Sequence, residues 1–147
     1  MVDMSDETFQ PAPSSVARPF VLLWHQGGLV EDHVDWLCAT DADGSGPLQT
    51  WRIATRIDSL DTGGSTVATP IAMHRPRYLD YEGPISDGRG TVRRIARGHA
   101  WDASNPIDEG TLLLQWTDGP AAGRWQQVQV LRPDDGSWIL HCSGWNA

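Results

Sequence analysis

Phe20-Val21-Leu22-Leu23-Trp24-His25 and His33-Val34-Asp35-Trp36-Leu37-Cys38-Ala39-Thr40 flank a turn that opens with Gly27-Gly28. Both runs are short, apolar and aromatic, and a glycine-containing break separates them, which is the pattern of two strands of a hairpin. In an extended strand, side chains two apart share a face. His33 and Asp35 therefore project together, while Val34 and Trp36 turn to the opposite, apolar side. His25 ends the first run, so pairing of the two strands places it across from His33.

The same texture continues outward. Runs at 48–55, 66–72, 90–97, 111–116, 125–131 and 138–142 alternate or stay apolar for a few residues, and Gly, Pro, Asp and Ser clusters separate them. No stretch keeps a helical period for ten residues; a short helix fits only at 29–32 or 105–110. The chain is therefore expected to be all-β, with about eight short, mainly antiparallel strands in one barrel or sandwich. Trp24, Trp36, Trp51, Trp116, Trp125 and Trp138 fall within or at the ends of these strands, where large rings fill a β core.

With 147 residues, the chain amounts to one domain. Residues 1–17 read as a disordered tail, 18–143 as the folded domain and 144–147 as a C-terminal tail. The longest apolar runs last only a few residues, far short of the ~20 of a membrane helix. The acidic start Met1-Val2-Asp3 has no signal-peptide pattern. Cys38 and Cys142 are too few to staple a fold and read as buried thiols. A soluble, cytoplasmic protein is expected. The net charge of −8 repels nucleic acid overall, but the window from Arg75 to Arg97 holds six arginines against three acids.

Two imidazoles and a carboxylate from His25, His33 and Asp35 would make a facial set that leaves positions open on Mn²⁺, Fe²⁺ or Zn²⁺. On residue types alone, the His33/Asp35 pair is more often an ordinary surface pair or a satisfied hydrogen bond than a metal site. His99 and His141 lack such neighbours and read as structural or surface residues. The stretch from His74 to Val92 is polar and aromatic, and Pro76 and Pro84 exclude a helix through it. Its His, Arg and Tyr side chains form a set of donors suited to phosphate, and the stretch reads equally as an arginine-flanked surface loop with a structural Tyr81 and Glu82.

The ordered set Phe20-Val21-Leu22-Leu23-Trp24-His25, His33-Val34-Asp35-Trp36, Thr50-Trp51, His74 with Tyr78, Asp80-Tyr81-Glu82-Gly83, Gly90-Thr91-Val92 and Gly123-Arg124-Trp125 resembles the 3′-phosphoesterase domain of bacterial DNA ligase D. The resemblance covers about residues 18–142. It implies a single small β-barrel, in a stand-alone version, that removes 3′-phosphates or terminal 3′-ribonucleotides from DNA or RNA–DNA ends. It also implies Mn²⁺ on His25, His33 and Asp35, with His74 and Tyr78 at the scissile phosphate. A monomer is expected, working beside a separate ligase or polymerase.

The sequence departs from that pattern at two phosphate-binding arginines, where Leu37 and Thr66 stand. Arg52, Arg75, Arg77 and Arg89 are the candidate replacements, and Leu37→Arg is expected to restore a donor beside Asp35. The competing expectation is a catalytically silent barrel that binds a nucleic-acid end or a protein partner.

Overall fold

The computed structural model describes residues 16–102 and 107–146. Nine strands follow one another: β1 (Val16–Gln26), β2 (His33–Ala39), β3 (Leu48–Ile53), β4 (Ser65–His74), β5 (Gly83–Pro84), β6 (Thr91–Asp102), β7 (Gly110–Asp118), β8 (Trp125–Leu131) and β9 (Trp138–Asn146). All pairings are antiparallel, in the order β1-β2-β3-β4-β9-β8-β7-β6-β5. Pairing of β1 with β6 closes the eight long strands into a barrel and leaves the two-residue β5 as an extra strand beside β6. The all-β barrel expected from the sequence is the fold.

Several boundaries shift. β1 begins at Val16, inside the segment read as a tail, because it pairs with β6 as far as Asp102. β9 runs to Asn146, so residues 144–146 are strand, paired with β8, rather than tail. Residues 29–32 form no helix but belong to the bend of the β1–β2 hairpin. Of the 105–110 alternative, residues 105 and 106 lie outside the described residues, as do residues 1–15 of the tail.

Strand alternation supplies two apolar surfaces. Phe20 and Leu22 of β1, Trp36 and Cys38 of β2 and Trp51 of β3 point into the barrel, with Trp116 and Trp138. Trp36 and Trp51 stack at 4.4 Å, and Phe20 meets Trp116 edge-on at 4.9 Å. The intervening residues Val21, Leu23, Leu37, Ala39 and Leu48 face outward and are equally buried, under Tyr78, Leu79, Tyr81 and Ile85 of the segment between β4 and β6. That segment makes a 3-10 turn at Pro76–Leu79, with proline at the position where a missing N–H costs nothing. β1 and β2 are thus covered on both faces.

Candidate metal centre

The hairpin register pairs His25 with His33 and Leu23 with Asp35. Directly opposed residues share a face, so His25, His33 and Asp35 sit together on the outer face. They continue the row of Leu23 and Leu37 toward the hairpin tip. One ligand atom from each of the three lies within 4.8 Å of the other two. The Asp35 carboxylate is almost fully buried, with His33 Nε2 3.1 Å from Oδ1 and 3.3 Å from Oδ2, and His25 Nδ1 3.8 Å from Oδ2. Oδ1 nevertheless has no hydrogen-bond donor, because the His33 approach to it is not along an N–H direction. Burial raises the carboxyl's pKa, and the nearby His33, His74 and His25 oppose that rise.

The outer nitrogens decide the chemistry. His25 Nε2 donates to the Arg89 carbonyl at 2.6 Å, and His33 Nδ1 donates to the Glu31 carbonyl at 2.7 Å. A carbonyl only accepts, so in each neutral ring the proton lies on the outer nitrogen and the inner nitrogen is a bare lone pair. Two lone pairs and a buried carboxylate then face one another. A proton on His33 Nε2 would satisfy that ring and Asp35 Oδ2 but leave His25 Nδ1 bare; one divalent cation satisfies all three. Carbonyls on the far nitrogens are also the usual way a protein orients histidine ligands.

Gly28 and Gly90 make this arrangement possible. A Cβ on Gly28 would lie 2.8 Å from the Arg89 oxygen, and one on Gly90 would lie 2.2 Å from the Gln26 oxygen. The loop before β6 can therefore lean onto the hairpin turn and deliver the Arg89 carbonyl to His25.

His74 arrives by a bulge. Leu48 and Thr50 of β3 face His74 and Ile71 of β4, so two residues span three. The extra residue turns His74 to the outer face, which unbroken alternation with the inward Ala68 would deny it. It is not among the three clustered ligands, but it lines a cavity of about 410 Å³ with His25 and Asp35. Its Nδ1 donates to the Ala72 carbonyl at 3.0 Å, and Tyr78 lies 5.6 Å away, ring to ring. Tyr78, Arg75, Arg77, Ser86 and Arg89 complete the polar lining. Arg77 sits 4.4 Å over the Tyr81 ring, and Arg89 holds Ser86 through Nε and Nη2. The Arg75 side chain makes no ion pair or hydrogen bond with another described residue, while its carbonyl accepts the Tyr78 N–H at 3.1 Å.

Three of the four candidate arginines thus border this cavity, and Arg52 does not. Leu37 shares Asp35's face, but it is fully buried in the outer apolar cluster. The donor expected from Leu37→Arg would enter that cluster rather than an open groove. Thr66 points inward from β4, where its Oγ1 accepts the Thr55 N–H at 2.8 Å. The carbonyls of Glu31 and Arg89 escaped the sequence reading, since nothing in a side-chain pattern marks a backbone acceptor. His141 bonds Ser65 at 2.9 Å, away from the cluster. Cys38 and Cys142 are buried and free, and burial pushes the Cys38 thiol up to about 12.

Among the described residues no helix is long and apolar enough to cross a membrane. No protein-family model matches the chain, and no curated protein matches it.

Proposed function

We propose that this barrel is a divalent-metal-dependent phosphoesterase acting on nucleic-acid 3′ ends, removing a 3′-phosphate or a terminal 3′-ribonucleotide. The observation that carries the reading is the pair of imidazoles whose outer N–H groups are committed to Arg89 and Glu31 carbonyls, leaving two lone pairs around the buried Asp35 carboxylate. This N₂O set fits Mn²⁺ and keeps positions open. When bound, such an ion polarises a phosphoryl oxygen and lowers the pKa of a coordinated water.

The remaining residues supply the phosphate chemistry. The Arg75 side chain, with no ion-pair or hydrogen-bond partner among the described residues, lies on the lining, and Arg77 and Arg89 add charge there. These guanidinium groups and the Tyr78 hydroxyl supply donors for the charge that builds on the phosphoryl oxygens. His74 donates from Nδ1 to a carbonyl, so its Nε2 holds or releases the proton exchanged with water or with the departing 3′-oxygen. A separate ligase or polymerase would use the 3′-hydroxyl so produced.

A second reading, a catalytically silent barrel that binds a nucleic-acid end or a protein partner, draws on Leu37 and Thr66. Both stand where the resembled family carries phosphate-binding arginines, and both are buried and uncharged. One experiment separates the two. Purified protein is incubated with a 3′-phosphate primer-template and Mn²⁺, and phosphate release is followed. Release is expected to vanish in His33→Ala and to slow by about 10²-fold in His74→Ala, the usual scale for a lost acid–base group. No release above the His33→Ala background, with Mn²⁺, Zn²⁺ or Co²⁺ and with phosphate- or ribonucleotide-ended DNA, would favour the silent barrel.

A further inference from the structure

Arg52 lies directly across the β2–β3 ladder from Asp35, yet the two do not pair. The carboxylate turns to the imidazoles, while the guanidinium borders a second cavity of about 340 Å³ with Trp24, Asp32, His33, Val67 and Thr69. Its Nε is buried without a hydrogen-bond partner, and the side chain makes no ion pair with any described residue. The Arg52 side chain borders this cavity with no ion-pair partner among the described residues, in a chain of net charge −8, which leaves its charge free for an anion. The one carboxylate on that lining, Asp32, is engaged through Oδ1 with the Gly27 N–H at 2.9 Å. Trp24 is half-buried, and its Nε1 is tied to Gln26 Oε1 at 2.8 Å, which holds the ring at the cavity.

His33 links the two cavities. It borders the Arg52 cavity, and its cluster partners His25 and Asp35 border the larger one. A ligand reaching from the metal cluster to Arg52 would meet a cationic group at each end. Guanidinium and indole around one cavity are the elements with which proteins hold a nucleotide of a single strand.

We propose that the Arg52–Trp24 cavity is a second nucleotide subsite. It takes a phosphate and base upstream of the 3′ end, so that the protein acts on a polynucleotide rather than on a mononucleotide. The subsite rests on the phosphoesterase reading for what occupies the larger cavity, but not for its own affinity.

The test is therefore binding, with turnover measured separately. A fluorescein-labelled single-stranded deoxyoligonucleotide ending in a 3′-phosphate and a nucleoside 3′-monophosphate competitor are titrated against wild type, Arg52→Gln and Arg52→Lys. The oligonucleotide's affinity advantage over the mononucleotide is expected to shrink about tenfold in Arg52→Gln. Its salt slope is expected to fall by about one. Arg52→Lys keeps the charge and should retain the slope with part of the advantage. Near-UV circular dichroism of each variant confirms that the tryptophan core is intact. Equal weakening of both ligands, or no change in either, overturns the subsite. An Arg52-dependent length advantage in a protein that releases no phosphate would sink the phosphoesterase reading and leave the subsite standing. Metal-dependent release with a length advantage indifferent to Arg52 would do the reverse.

Discussion

The two faces of the β1–β2 hairpin are built from the same dozen residues, yet they do different work. Inside, Phe20, Leu22, Trp36 and Cys38 meet the other strands of the barrel, with the buried Arg18 on the same row of β1. Outside, Val21, Leu23, Leu37 and Ala39 begin as a second small core and then give way, two residues nearer the tip, to His25, His33 and Asp35. The inner face is closed by the sheet itself. Among the described residues the outer face is closed by the segment between β4 and β6, and the cavity remains where that cover and the strands diverge. A site of this kind needs both halves: a sheet rigid enough to aim three ligands, and a cover that excludes water from part of the face.

The largest effect that tests this contrast comes from the inner face. Trp36 is fully buried and stacked on Trp51. Trp36→Ala is expected to cost about 4 kcal/mol of folding stability, measured by urea unfolding, as large aromatic truncations do. A loss under ~1 kcal/mol would mean that the inner face is not the main core.

Leu37→Arg probes the outer face. From the sequence, this change was expected to restore a donor beside Asp35 and raise the rate of phosphate release. The buried outer cluster makes it the insertion of an unpaired cation among Val21, Leu23 and Leu48, expected to cost about 3 kcal/mol with no gain in phosphate release. If Leu37→Arg folds with wild-type stability and turns over faster, the outer cluster is an open groove and the contrast between the faces collapses.

The smallest effect belongs to Asp35. Its carboxyl pKa is raised, chiefly by burial, so the folded state favours the protonated form. In metal-free protein this contribution is fully present below the ordinary value of 3.8 and is lost as pH rises through the raised folded value. Asp35→Asn removes the ionisation. Near neutral pH the metal-free variant should therefore melt higher than wild type, by less than the changes expected for the two substitutions above. Wild type should gain melting temperature on addition of Mn²⁺ and the variant should not. Equal gains in both would remove Asp35 from the ligand set.

Much of this was legible in the chain. The period of two put His33 with Asp35 and set Val34 and Trp36 against them. The Gly27-Gly28 break brought His25 opposite His33. The eight barrel strands were readable because each is a short apolar run with its own punctuation. What the sequence could not reveal depends on partners far along the chain. Closure of β1 on β6 decided where those strands end. The β4 bulge decided which way His74 points, since an extra residue reverses alternation without leaving a mark in the pattern. Alternation states which face a side chain occupies but not what covers that face. Leu37 therefore looked like a vacancy beside Asp35 and is a buried core residue, and Arg52 looked like a neighbour of the cavity and borders another one. The sequence by itself determined the ligand types and their common face, because strand geometry is local. Only the tertiary structure decided the cover, the orphaned carboxylate oxygen and the two carbonyls that set the imidazole protons, because each depends on residues brought together from distant strands and loops.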